Sequence, residues 1–289
     1  MYNARRSLLP KLPKSMEETH DILKTFPVKT NKNEDFLMVN DIKNQIIMFS
    51  CSSNLEFLAD LDTICIDGTF EYCPKAIHGL KEDQYIPLVF FLLPNKQKHA
   101  YTLALKYLTE QVEKCNKKLA LRTVFAYFEE AIQQSVTEVW TNVSLKGCRF
   151  HLGQSWWRKI QALGLTSLYK DKESDVGKYL TYCFGMPFLN PEDVGDYFVE
   201  ALSSIQSQNH RIVEFADYLV DNYLSESAKF PPEIWAEMSS SLQRTTNACE
   251  SFHSRFDSSF YFAHPHIFQF LTVLIDFQSK TYVKIRNVK

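Results

Sequence analysis

The chain has 289 residues, 45% of them hydrophobic and 14% aromatic, which is enough apolar material to bury a sizeable core as one large domain or a domain with a smaller companion. With 11 Pro and 8 Gly it is neither a disordered nor a fibrous chain, and its longest apolar run, residues 86–93, is too short to cross a bilayer. A net charge of −2 lacks the basic excess of a dedicated nucleic-acid binder, so any DNA contact has to come from local patches.

No apolar segment follows Arg5 and Arg6, so no signal peptide is expected. Seven cysteines, Cys51, Cys65, Cys73, Cys115, Cys148, Cys183 and Cys249, are odd in number and scattered, as reduced thiols are. The expectation is a soluble intracellular protein without a membrane span.

In chain order, the first 35 residues are polar and interrupted by Pro10, Pro13 and Pro27, with one short helix over residues 15–26. Ser15 is its N-cap and Glu18 stands three residues on, the spacing of a capping box. Short β-like runs follow at residues 36–39, 45–49, 63–66 and 86–93. The last is apolar on both faces, as a central strand covered on two sides would be. The period then changes: Tyr101, Leu105, Leu108 and Val112 recur at helical spacing, as do Ile132, Val136 and Val139. Residues 123–128 and 146–150 read as two further strands. From His151 onward the pattern is almost wholly helical, ending in a buried helix marked by Ile267, Leu271, Leu274 and Phe277. Strands first, one helix between strands, then a run of helices predicts a mixed α/β core with an α-helical second half.

Three stretches could carry chemistry. In Cys65-Ile66-Asp67-Gly68-Thr69-Phe70 a carboxylate follows a hydrophobic strand and Gly68 lets the backbone turn, an arrangement that presents an acid to a metal or phosphate but that also occurs in ordinary turns. The segment Gly147 to Leu152 holds Cys148 and His151, and Thr245 to His253 holds Cys249 and His253 one helical turn apart. If the two segments meet, Cys148, His151, Cys249 and His253 form a tetrahedral zinc site; otherwise they are buried thiols and hydrogen-bonded imidazoles. Basic clusters occur at Lys114, Lys117, Lys118 and Arg122, at Lys146, Arg149, Arg158 and Lys159, and at Lys280, Lys284, Arg286 and Lys289. Each taken alone also reads as a solvated helix face.

The order of these segments resembles one family. Asp67-Gly68-Thr69-Phe70, Pro74, Gln84 to Phe90, Tyr101, Phe128-Glu129, Gly147 to Gln154, then Asn247, Glu250 and His253, resembles the MULE (Mutator-like element) transposases. Arg5-Arg6, Pro10, Leu12-Pro13 and Asp35-Phe36-Leu37 look like the region preceding the catalytic domain, so the resemblance extends over nearly the whole chain. It implies an RNase H-like α/β fold, a mixed sheet flanked by helices with a mostly helical insertion in the C-terminal half. The implied divisions are a preceding region at 1–60, the core at 61–160, a helical insertion at 161–240 and closing helices at 241–289. Such domains cut and join DNA with two divalent ions, Mg or Mn, held by three carboxylates.

By that resemblance the first acid is Asp67 and the third is Glu250. The family pattern puts an Asp immediately before Phe-Glu, and this chain has Tyr127 there, a phenol that is neutral at physiological pH. Glu129 matches the family's own Glu, so it is a weak substitute. Ahead of the strand at 63–66 only His20 and Cys51 occur, too few for the zinc-finger-like module that often precedes this domain. The expected protein is therefore a nuclear, transposase-derived DNA-binding or relic domain, catalytically inactive, with Arg149, Arg158 and Lys159 as DNA contacts and homo-oligomers as a family expectation. The alternatives are an active metal-dependent transposase or nuclease, and a protein-interaction scaffold that binds no DNA. The adjacent Trp156-Trp157 reads either as a base-stacking platform or as core.

Overall fold

The computed structural model describes residues 11–67, 75–203, 209–238, 252, 254–256, 258–260 and 265–288. The chain forms two compact units. One comprises Met1–Val124, Ala131–Ser144 and Asn247–Lys289, the other Phe125–Glu130 and Leu145–Thr246.

The chain enters through α1 (Met16–Thr25), which begins where the sequence predicts. The Ser15 hydroxyl accepts from Glu18 N at 3.1 Å, but the Glu18 carboxylate takes Lys14 N at 2.7 Å, one residue before the cap that a capping box would close on. Then follow β1 (Leu37–Asp41), β2 (Ile46–Phe49), α2 (Ser52–Ala59), β3 (Thr63–Asp67), β4 (Lys75–Lys81) and β5 (Gln84–Leu92). Next come α3 (Lys98–Lys114), β6 (Thr123–Ala126), α4 (Glu130–Val139) and β7 (Ser144–Gly147). The seven strands make one mixed sheet in the order β1-β2-β5-β4-β3-β6-β7. This α/β arrangement is consistent with an RNase H-like core. The remaining elements are helical: α5 (Arg149–Ala162), α6 (Thr166–Lys170), α7 (Asp175–Cys183), α8 (Val194–Ser203), α9 (His210–Leu219), α10 (Pro232–Trp235) and the long α11 (Ile267–Asn287). Among the described residues no helix is long and apolar enough to cross a membrane.

Strand β5 is buried along nearly its whole length, as its two-sided apolar pattern predicts. It nevertheless contains Pro87, a residue excluded from central strands unless a bulge accommodates it. The bulge is present: Ile77 faces Val89 while His78 faces Pro87, so Leu88 is the extra residue. Buried donors satisfy the carbonyls at this irregularity. Thr281 Oγ1 donates to Pro87 O at 3.1 Å, and Ser50 Oγ and Asn54 Nδ2 donate to Leu88 O at 2.8 and 2.9 Å. Asn54 and Gln278 then exchange two amide hydrogen bonds of 2.9 and 2.7 Å, which tie α11 to α2.

One turn of helix further on, the Tyr282 hydroxyl donates to the Glu34 carboxylate and lies 2.9 Å from Thr30 Oγ1. Cys51 lies beneath, its thiol pushed up to about 11 by burial. Burial raises the Glu34 carboxyl too, but donation from Tyr282 and Ser53 outweighs it and leaves that pKa below the ordinary value. An apolar cluster of Leu23, Phe36, Phe49, Phe90, Phe252, Phe256, Leu271 and Leu274 fills the space around these polar contacts.

Within the second unit, Trp156 is the hub. It meets Trp235 and Tyr223 edge-on at 5.6 Å each and Phe184 at 5.8 Å. Trp235 Nε1 donates to Phe230 O at 2.8 Å. Helix α9 runs into a π turn at Val220–Leu224, which places Tyr223 in this cluster.

Two predictions follow from the first unit. Asn54→Ala removes a donor to Leu88 O and the partner of Gln278, and a urea titration should show a loss of about 1–3 kcal/mol. Glu34 has a folded pKa below its unfolded value, so its contribution is present above the unfolded carboxyl pKa and disappears as pH falls through the folded one. Wild type should therefore exceed Glu34→Gln in stability at neutral pH, with the gap closing as the solution is acidified below about pH 4.

Candidate functional site

Strand β3 ends in Asp67, which is only 2% exposed, a rare burial for an aspartate unless partners compensate it. The antiparallel register pairs Cys65 with His78 and Asp67 with Ala76, so all four side chains share one face of the sheet. Ala76 in turn faces Phe90 across β4 and β5. What covers this face is identified by ring contacts: Phe252 lies 5.9 Å from Phe90, 5.1 Å from His78 and 5.1 Å from Phe277. Asp67 thus shares a sheet face with the packing site of the helical segment that holds Phe252 and Phe256. Glu250, Cys249 and His253 lie outside the described residues, as do Gly68, Thr69, Phe70 and Pro74. His78, 1% exposed, is a buried group that the sequence reading missed. Its signal was an inward polar position in a strand that was not itself read.

In the second unit, the strand-end triplet Tyr127-Phe128-Glu129 makes a tight turn closed by Glu129 N donating to Tyr127 O at 2.9 Å. Tyr127 is 3% exposed and its ring stands 6.1 Å from the His151 imidazole, which also meets Phe150 at 5.6 Å. Phe128 turns into the aromatic cluster, 5.2 Å from Phe230 and 6.0 Å from Tyr223. Glu129 Oε1 is buried with no hydrogen-bond partner among the described residues.

Gly147 ends β7 against this triplet: a Cβ there would stand 2.4 Å from Phe128 Cζ, so only glycine lets the ring lie where it does. Residue 148 is where the predicted strand at 146–150 gives way to helix. Cys148 N donates to Ala126 O at 3.0 Å and Cys148 O accepts from Leu152 N at 3.1 Å, which makes it the junction between β7 and α5. Its side chain is buried. Of the four residues predicted to bind zinc, Cys148 and His151 are described and belong to one unit. Among the described residues no group of three or more His, Cys, Asp or Glu gathers as a metal site.

The predicted DNA contacts are divided. The Arg149 guanidinium sits 4.4 Å over the Phe188 ring and donates to Glu237 O at 2.8 Å, while Lys159 pairs with Glu214 at 2.9 Å. Arg158 is exposed. In the first cluster Lys117 pairs with Asp60 at 3.1 Å. The base-stacking reading of Trp156 is overturned, because its indole is fully buried, and Trp157 packs edge-on against Tyr169 at 5.1 Å.

The fold is therefore that of an α/β domain in which β3 buries an aspartate at its end. The family model for the MULE transposase domain matches residues 63–155, from the first residue of β3 into α5, which supports a transposase-derived origin for this segment. The match is narrower than the resemblance read along the chain: Arg5-Arg6, Asn247 and Glu250 all fall outside it. No curated protein and no solved structure matches.

The contact between Gly147 and Phe128 generates a prediction for this strand end. Gly147→Ala should displace the Phe128 ring and cost about 1–3 kcal/mol in thermal or urea unfolding. Trimming the ring in the double variant Gly147→Ala/Phe128→Leu should cost less than the sum of the two single changes, because the second relieves the clash of the first.

Proposed function

We propose that this chain is a transposase-derived, nuclear DNA-binding protein in which strand-transfer chemistry has been lost. The observation that carries the reading is the residue at the end of β6. By the sequence resemblance the position of the family's second acid falls on Tyr127, which lies within the matched segment and is only 3% exposed. With a reference pKa of about 10, a phenol offers a cation no negative charge at neutral pH. It is also bulkier than an aspartate, so it takes up volume where an ion would sit. Among the described residues no three carboxylates gather as the two-ion centre of such an enzyme requires. Asp67, and Glu250 by the resemblance, remain as the family's first and third acids.

One observation favours a second reading, an active Mg- or Mn-dependent nuclease. Glu129 keeps a buried carboxylate oxygen without a hydrogen-bond partner among the described residues, and an oxygen of that kind is a ready cation acceptor.

Titration of Mn²⁺ into wild type and into Tyr127→Asp, followed calorimetrically and by nicking of supercoiled DNA, separates the two. The proposal expects no two-ion binding and no nicking by wild type, with ion binding gained in Tyr127→Asp. Two ions bound by wild type, with nicking that Glu129→Gln abolishes, would replace it with the second reading.

A further inference from the structure

A surface pocket of about 280 Å³ lies on the first unit, between α11 and the turn that follows α1, and it is lined by Asn31, Lys32, Ser279, Tyr282, Val283 and Arg286. Ser279, Tyr282, Val283 and Arg286 fall at helical positions i, i+3, i+4 and i+7, so one stripe of α11 forms a wall. The opposite wall is the turn at residues 30–33, held within the short bridge between Lys29 and Asp35.

The turn is fixed in place. Thr30 Oγ1 accepts from both Lys32 N and Glu34 N at 3.2 Å, and Asn33 adopts a left-handed φ of 64°. Asn31 Nδ2 donates to Ser279 Oγ at 2.6 Å, and the Lys32 ammonium rests 4.0 Å over the Tyr282 ring. The two cations at the pocket, Lys32 and Arg286, are exposed, and neither forms an ion pair with a described residue. The nearest acids in sequence are already engaged. Glu34 spends its oxygens on Tyr282 and on Ser53, and Asp35 pairs with Lys29 at 2.9 Å. Among the described residues no carboxylate lines the pocket.

A concavity lined by one lysine and one arginine, with no acid among its described lining residues, suits an oxyanion. The Arg fork and the Lys point charge together are the side chains that recognise phosphate. We propose that this pocket holds a phosphate group, supplied by the backbone of a DNA strand that crosses α11. The DNA source rests on the function proposed above, whereas phosphate binding by the pocket does not. The shared chemistry admits a free nucleotide or pyrophosphate as the other source.

The test uses the full chain with Lys32→Gln, Arg286→Gln, the double variant, and Lys24→Gln as a matched loss of charge at a residue already paired with Asp21. Binding of a fluorescent oligonucleotide is followed between about 50 and 200 mM salt, and in parallel pyrophosphate is titrated against the backbone amides of α11 by NMR. Melting temperatures confirm that the exposed substitutions leave the fold intact.

With DNA as the source, each pocket substitution should flatten the slope of log affinity against log salt by about 0.7–0.9, the double variant by about twice that, and Lys24→Gln should leave it near wild type. If no oligonucleotide is retained but pyrophosphate shifts the amides of Ser279 and Arg286 in wild type and not in the double variant, the pocket stands as a small-molecule phosphate site and the DNA reading falls. If DNA binds wild type and the double variant with the same affinity and slope, or if Lys24→Gln matches the double variant, the pocket assignment is overturned while DNA binding survives. Wild type that binds neither probe overturns both.

Discussion

The first unit is organised around a proline in a strand that has no room for one. Pro87 brings no backbone N–H to β5, and the bulge at Leu88 accommodates it, leaving buried carbonyls that must find donors away from the regular ladder. Ser50, Asn54 and Thr281 supply them from 38, 34 and 194 positions away in sequence. The requirement therefore fixes where α11 crosses the sheet. Once Gln278 and Thr281 are seated, Tyr282 must approach Glu34 and Thr30, and Phe277 must lie against Phe252. The Asp67 face of the sheet is closed by the same constraint, since Phe252 covers Phe90 and His78 on it. A local backbone defect thus determines the packing of distant segments, because an unsatisfied buried polar group costs more than a typical hydrogen bond returns.

Elements with a clean period were legible. Ser15 and the run at 86–93 were read correctly because capping chemistry and two-sided burial leave local marks. Two elements were missed for identifiable reasons. Strand β4 carries Lys75, His78 and Gly79, which break any apolar alternation, yet its glycine is there because Leu61 and Leu88 crowd the position a Cβ would take. Helix α2 has an uncertain start by sequence, since its N-cap, Cys51, makes no side-chain cap bond. The reading of 146–150 as strand stopped being true at Cys148, where the residue that ends β7's pairing also starts α5.

Site legibility divides in the same way. That Asp67 ends a strand could be anticipated from sequence, because a carboxylate after a hydrophobic run is a local pattern. Arg149 and Lys159 could not be evaluated, because the groups that occupy them, Glu237 O and Glu214, lie 88 and 55 positions away. Lys32 was invisible as a ligand-binding candidate for the converse reason: a single lysine in a turn means little until Ser279 and Tyr282, some 250 residues on, complete the wall opposite. Charge counted along the chain overstates some patches and overlooks others, because ion pairs and walls form between segments that do not know each other in sequence.

Tyr127 brings the energetics of folding and the proposed loss of catalysis into one account. A carboxylate at a position only 3% exposed would be costly to bury, and that cost is offset in an enzyme by the cation it binds. Without selection for the reaction, nothing offsets it, and an aromatic that packs against His151 removes the buried charge altogether. The neighbouring Phe128 is held by Phe230 and Tyr223. On the proposed reading, a change at 127 that ends the chemistry also relieves the fold of an uncompensated acid. Loss of activity and gain of stability then run in the same direction, as is general where an active site is strained for its function.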